Sequence, residues 1–323
     1  MKRLARSKSA LAAVLAAGSL ALAGAAQADE GAGEAVIVGE EIAVVETTAC
    51  PDCPAGNTGM ISLAAGVDFA DKYFYRGYTQ QTSGVQIQPW AELDIQLTNN
   101  EGPFGDLTLF VGVWNNINSK GAGLFAGGVN QPSTQDPSNW YESDFYVGLA
   151  TSLGAGVSAS VSYVGVFYPS VGGDALPGDR GEIDLTLSYD DSDLLGDFSI
   201  SPYVLFAFGI HNFNFATGGD GGYVEIGGEP SYTIGDGAYA PTLSLPFNIG
   251  FSLYDDYYGR NDVGWGQLGL AGSVPLGFMP ASYGSWSASA GIYGIWQSAF
   301  VREFAGADRA WQPNFIFGIS ADY

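Results

Sequence analysis

One histidine in 323 residues leaves the chain almost without an imidazole for acid–base chemistry or metal binding. His211 stands alone in Gly209-Ile210-His211-Asn212-Phe213, with no Ser two places away on the same strand face. A triad needs nucleophile, base and orienting group within hydrogen-bond reach, so a solvated loop-edge His is the stronger reading. Motifs of the H-E-x-x-H, G-x-S-x-G and phosphate-loop types are missing too, and no cofactor is implied. Cysteine is nearly absent: Cys50 and Cys53 form Cys50-Pro51-Asp52-Cys53, a redox or metal C-x-x-C or a small disulfide loop. The disulfide loop is the better reading, because a closed zinc site needs four ligands and no second pair is present.

Basic residues are scarce, and this excludes nucleic acid as a partner, since phosphate binding requires the opposite sign. Four of the eleven Lys and Arg, at Lys2, Arg3, Arg6 and Lys8, precede an apolar stretch from Leu11 to Leu22 and the A-x-A site Ala26-Gln27-Ala28. That is the layout of an export signal over 1–28, with cleavage expected before Asp29. The remaining seven basic residues face 34 Asp and Glu, a formal charge of −27. No run after Asp29 approaches eighteen apolar residues, which excludes a membrane-spanning helix.

What is abundant is glycine, 47 residues, and aromatics, 14% of the chain, while charged residues are only 14%. The segment 29–58 has no sustained alternation and reads as an acidic, largely disordered periplasmic lead-in. From residue 59 to 323 the period becomes two. Val85, Ile87, Pro89, Ala91, Leu93, Ile95 and Leu97 alternate with Gln86, Gln88, Trp90, Glu92, Asp94 and Gln96. One face is apolar and the other polar, and Pro89 suggests a bulge or irregular pairing.

About twelve such segments follow, near 60–70, 85–98, 106–115, 141–152, 156–167, 182–190, 198–208, 223–232, 242–253, 265–275, 285–296 and 312–323. The connections between them alternate long and short, as expected of outer loops and periplasmic turns. The expected fold is all-β: one transmembrane antiparallel up-and-down barrel of about twelve strands. The final residues place Phe315, Phe317, Ile319 and Tyr323 on one face of the last strand. This ending resembles the C-terminal signal that barrel-assembly machinery reads in bacterial outer-membrane β-barrels, and implies that machinery as a partner. In lipid the last strand must pair with the first, because every backbone group needs a partner.

Alternation turns Gln86, Gln88, Trp90, Glu92, Asp94, Trp114, Glu142, Asp144, Glu182, Asp184, Glu225 and Glu229 to the polar face, since a carboxylate facing lipid is strongly disfavoured. These are the candidate pore-lining residues. Their charge is that of a field enriching cations, or simply that of any water-facing strand. Arg76 and Arg180 lie in inferred outer connections, where they serve either a constriction, paired with those carboxylates, or a rim that holds anionic lipopolysaccharide. Tyr73, Phe74, Tyr75, Tyr78, Trp140, Tyr141, Tyr254, Tyr257, Tyr258, Trp265, Trp296 and Trp311 fall at strand ends and read as interfacial girdles, with carbohydrate stacking the alternative. The longest outer connection, 116–140, is a candidate plug or contact surface.

Within Val67–Gln80, the run Tyr75-Arg76-Gly77-Tyr78-Thr79-Gln80 resembles the start of the TorF family of bacterial porins, in which an aromatic-Arg-Gly-x-Ser/Thr-Gln segment follows the first strand. Tyr75 replaces the more usual Phe, and the acidic lead-in lies outside the resemblance. The resemblance implies an outer-membrane channel, and together with the acidic wall it gives the expected function: passive diffusion of small polar or cationic solutes. The rival classes are a non-conducting outer-membrane anchor or adhesin and, less favoured by the motifs, an outer-membrane enzyme.

Overall fold

The computed structural model describes residues 60–98, 106–120, 139–169, 180–195, 198–211, 219–259, 261–304 and 307–323, together with strands Ala32–Val38 and Glu41–Thr47. The signal segment, Cys50 and Cys53 lie outside the described residues. Ahead of the barrel the two early strands pair antiparallel, Val38 opposite Glu41. The stretch expected to be largely disordered therefore contains a ladder between residues 32 and 47.

Twelve strands close on themselves in sequence order, each antiparallel to its neighbours. They are β1 (Ile61–Ala70), β2 (Gln86–Gln96), β3 (Thr108–Asn118), β4 (Trp140–Gly154), β5 (Val157–Phe167), β6 (Arg180–Tyr189), β7 (Tyr203–His211), β8 (Gly222–Gly228), β9 (Phe247–Tyr254), β10 (Val263–Pro275), β11 (Ser285–Gln297) and β12 (Trp311–Asp322). Closure is made by β12 on β1, from Ile316 opposite Ala70 to Asp322 opposite Ala64. Leu63 and Tyr323 extend it by exchanging backbone hydrogen bonds, both 2.8 Å. None of these twelve described strands is left as an edge, as a sheet surrounded by lipid requires.

Proline marks where the ladders break. Glu229-Pro230 separates β8 from its continuation Ser231–Thr233, and Leu245-Pro246 separates β9 from Thr242–Ser244, because proline has no N–H to donate. At Pro89 the register of β2 on β3 is the same before and after, Ile87 opposite Ile117 and Trp90 opposite Trp114. The pairing is interrupted there, and no residue is inserted. The β4–β5 turn is a two-residue hairpin in which Ala155 (φ 52°) and Gly156 (φ 80°) both take left-handed backbone, the type I′ signature.

Alternation sorts the two faces. Leu63, Leu93, Val113, Phe145, Val161, Ile183, Leu270 and Phe317 are exposed on the outside, a continuous apolar belt of the kind a barrel presents to lipid. Inside, six aromatic rings lie directly across a glycine of the neighbouring strand: Trp90 on Gly66, Tyr146 on Gly112, Phe110 on Gly148, Tyr203 on Gly227, Trp265 on Gly250 and Tyr293 on Gly269. A Cβ at any of these glycines would come within 2.0–2.6 Å of a ring atom.

Candidate functional site

Strand β1 leads into a connection, 71–85, that turns back into the barrel instead of projecting from it. Tyr73–Tyr75 pairs with Tyr78–Gln81 in a small antiparallel ladder. Its turn is again of type I′, with Arg76 at φ 43° and Gly77 at φ 80°. Glycine is required at 77 twice over, because a Cβ there would also stand 2.3 Å from Trp265 Cγ. Every residue from Tyr73 to Gln81 is buried.

The hairpin is tied to the wall all round. Tyr73 donates to Glu142 Oε1 (3.1 Å) and Tyr75 to Glu182 Oε1 (3.0 Å), while Tyr141 donates to Gln80 Oε1 (2.9 Å). On the opposite side Gln297 Nε2 donates to the Gly77 carbonyl (2.6 Å) and to Thr79 Oγ1 (2.8 Å). The turn Asp255–Gly259 folds in beside it: Tyr258 donates to the Arg76 carbonyl (2.9 Å), and Tyr78 donates to the Tyr257 carbonyl (2.6 Å). The short helix α1 (Ala299–Phe304) caps this cluster, with Val301 buried and Phe304 edge-on to Tyr78 at 5.3 Å.

Arg76, at the tip, is buried to 1% exposure. Its Nη2 lies 2.6 Å from Glu182 Oε1 and 3.5 Å from Asp184 Oδ1. The guanidinium carbon is 4.4 Å from the ring centre of Tyr223 and 5.3 Å from that of Tyr75. Carboxylates meet the guanidinium through Nη2 and aromatic faces cover it, while Nε and Nη1 have no hydrogen-bond partner.

The other candidate pore-lining residues also face inward. Gln86 bonds Asn118 Nδ2 (3.2 Å), and Gln88, Glu92, Asp94, Asp144 and Glu229 are buried on the interior face. Trp90 donates to Asp68 Oδ2 (3.1 Å), and Trp114 stands 5.3 Å from the ring of Tyr73. Glu225 accepts hydrogen bonds from Tyr203 and Tyr223. Arg180, at the start of β6, is not brought to Glu182 and Asp184 as Arg76 is; it lies 5.2 Å over the ring of Tyr168, just past β5. Phe315, Phe317 and Tyr323 are exposed on the outer face and Ile319 half-buried there, while Ile316 and Asn314 face in.

Several expectations are corrected. Tyr73, Phe74, Tyr75, Tyr78, Tyr141, Tyr257, Tyr258 and Trp265, read as interfacial girdle, are 0–2% exposed inside the barrel. The hydroxyls of Tyr73, Tyr75, Tyr78, Tyr141 and Tyr258 reach carboxylates, an amide oxygen and backbone carbonyls there that headgroup water would otherwise have to serve. Trp140, Tyr254 and Trp311 do lie outside. The described inward connections are 71–85 and 255–259, whereas 121–138 lies outside the described residues. Asp68, missing from the sequence-derived set, is buried on β1, and its alternation between Val67 and Phe69 was the available signal. The side chain of His211 lies outside the described residues.

No family model and no curated protein matches the sequence. Among solved structures, the chain is similar to an outer membrane channel from Pseudomonas putida F1, at 11% identity over 84% of this chain and 98% of that one, TM-score 0.49. It is also similar to the NanC porin (10% identity, 80% and 98% covered, TM-score 0.41) and to the beta domain of the Bordetella autotransporter BrkA (11% identity, 83% and 99% covered, TM-score 0.41). The resemblance to the TorF family rests on the residues Val67–Gln80.

Proposed function

We propose that the protein is a bacterial outer-membrane channel, Sec-exported and inserted by barrel-assembly machinery, that lets small polar solutes diffuse with a preference for cations. Anionic lipopolysaccharide is the expected neighbour of its outer rim. The observation that carries the reading is the union of an unbroken apolar outer face with an inner wall on which Glu92, Asp94, Glu142, Asp144, Glu182, Asp184, Glu225 and Glu229 are buried. A field from that many carboxylates raises the local cation concentration, and salt screens it over about 10 Å at 0.1 M. The test is the reversal potential of the purified protein in a planar bilayer under a potassium chloride gradient. Cation selectivity is expected, weakening when Glu92, Asp94, Glu142, Asp144, Glu182 and Asp184 are changed to Gln or Asn, and most at low salt. An unchanged reversal potential in that variant would remove these groups from the conducting path.

One observation favours a second reading, a non-conducting anchor: the hairpin and the 255–259 turn occupy the interior, leaving Tyr73, Gln80 and Trp114 without solvent exposure. Replacing 73–81 with a short Gly-Ser connection separates the two. A channel then gains conductance, whereas an anchor stays silent.

A further inference from the structure

Two Gln–Asn pairs stand one below the other on the inner face of β2 and β3, and their polar atoms fare in opposite ways. In the upper rung Gln86 lies opposite Asn118 and every amide atom is used. Asn118 Nδ2 donates to Gln86 Oε1 (3.2 Å), Gln86 Nε2 donates to the Ser83 carbonyl (3.3 Å), and Asn118 Oδ1 accepts from the Lys120 N–H (2.7 Å). In the rung below, the register that carries Ile87–Ile117 through to Trp90–Trp114 sets Gln88 opposite Asn116. Both are 0% exposed, and none of their four amide atoms has a hydrogen-bond partner. Trp114 Nε1, two residues along β3 on the same face, is equally buried and equally unpartnered. Buried amides left unpaired are strongly disfavoured, and here they adjoin a fully bonded copy of the same pair, so the lower rung is kept open for a ligand.

The flanking residues show which kind. Asp68 lies opposite Gln88 on β1 and Glu142 opposite Asn116 on β4, so the row crosses four neighbouring strands about 4.8 Å apart. Asp68 already accepts from Trp90 and Glu142 from Tyr73. The groups left open between them are the donors Gln88 Nε2, Asn116 Nδ2 and Trp114 Nε1 and the acceptors Gln88 Oε1 and Asn116 Oδ1. A cation would leave those donors unmet, and an anion would meet two carboxylates; a hydroxyl group both donates and accepts. We propose that Gln88, Asn116 and Trp114 form a hydrogen-bonding site for a small neutral polyhydroxylated solute of the monosaccharide type. Tyr73 roofs it, with its ring 5.3 Å from that of Trp114 and its hydroxyl on Glu142, the residues on either side of Asn116. The hairpin carries its own ladder and can leave the wall as a unit, so solute and docked hairpin compete for one place. The proposal rests on the channel reading in that it names a class of solute the pathway takes.

The test is titration of the folded, full-length protein in detergent micelles with glucose, read by the indole N–H resonance of Trp114, which Trp114→Phe assigns. A saturable shift is expected, with a dissociation constant at least tenfold lower once 73–81 is replaced by a Gly-Ser connection, or, should that chain not fold, in Tyr73→Ala. Gln88→Met/Asn116→Leu, placed in the uncovered chain, should weaken glucose binding at least tenfold. In the parent chain the same pair should keep or raise the denaturation midpoint, because apolar groups of similar shape replace unpaired amides, whereas Gln86→Met/Asn118→Leu breaks a made bond and should lower it. Absence of a saturable shift in both the parent and the uncovered chain, or equal affinity after Gln88→Met/Asn116→Leu, overturns the site. A lowered midpoint in that pair overturns it too, since the amides would then be bonding one another. Choline or acetate displacing glucose at equal concentration overturns the neutral class. Glucose binding to a protein that stays silent in bilayers even when uncovered would sink the channel reading and leave the site standing. Conductance through an uncovered chain that binds no glucose would do the reverse.

Discussion

Replacing Gly77 with Ala tests what holds the inward hairpin in place. Gly77 has φ 80°, and a Cβ there would stand 2.3 Å from Trp265 Cγ and 2.4 Å from its Cβ. Left-handed backbone costs an alanine roughly 1–2 kcal/mol. Forcing a methyl group into a packed site adds about 1–3 kcal/mol. Trp265 has no room to retreat, because its Nε1 donates to the Tyr223 hydroxyl at 3.1 Å and its ring covers Gly250. The docked hairpin is therefore disfavoured by about 2–5 kcal/mol, and the displaced fraction rises at least about 30-fold, at 1.4 kcal/mol per tenfold. The assay is maleimide labelling of Thr79→Cys, a position 2% exposed when docked, in a background with Cys50 and Cys53 changed to Ser. When redocking outpaces labelling, the rate follows the displaced fraction. Gly77→Ala should speed labelling by that factor and leave the barrel heat-modifiable, since no wall ladder is touched. Adding Trp265→Ala should restore part of the protection. A folded Gly77→Ala protein that labels at the parent rate would refute the reasoning.

Deleting 315–323 removes the whole β12 ladder to β1 and should abolish insertion; folded, heat-modifiable truncated protein recovered from membranes would contradict this. Asp191→Ala takes away the carboxylate that receives the Ile200 N–H at 2.9 Å and the Ser201 N–H at 3.0 Å in the turn before β7. A loss of about 1–3 kcal/mol is expected, read as a lower denaturation midpoint in detergent, with conductance unchanged. Gly112→Val must expel the Tyr146 ring, whose hydroxyl would otherwise lie 1.7 Å from the new Cβ. Slower insertion or a lower melting temperature should follow, by about 1–3 kcal/mol, and Tyr146→Ala should rescue it.

The wall was legible in the sequence because its two solvents differ. Lipid outside and polar interior inside impose a period of two that no helix imitates, and all twelve segments were placed within a few residues. The inward hairpin was hidden for the opposite reason. Tyr73-Phe74-Tyr75 carries aromatic residues on both faces, so alternation offers no contrast, and rings at a strand end serve a membrane interface as well as a packed interior. The usable signal was Arg76-Gly77 between two short β-prone runs, a two-residue hairpin turn with glycine second. That Arg76 meets Glu182 and Asp184 more than a hundred residues away depends on barrel curvature and on which way the connection folds, and neither is encoded locally.

The glycines facing the interior govern a dimension of the pathway that the charges do not. Because Trp90, Phe110, Tyr146, Tyr203, Trp265 and Tyr293 each recline on a neighbouring glycine, the rings upholster the wall instead of spanning the bore. An alanine under any of them would tip its ring toward the axis. Calibre is thus written in residues without side chains, and electric field in the carboxylates between them. If the barrel conducts as proposed, the two can be tuned apart: substitutions beneath the rings are expected to narrow conductance at constant selectivity, and neutralised carboxylates to alter selectivity at constant width.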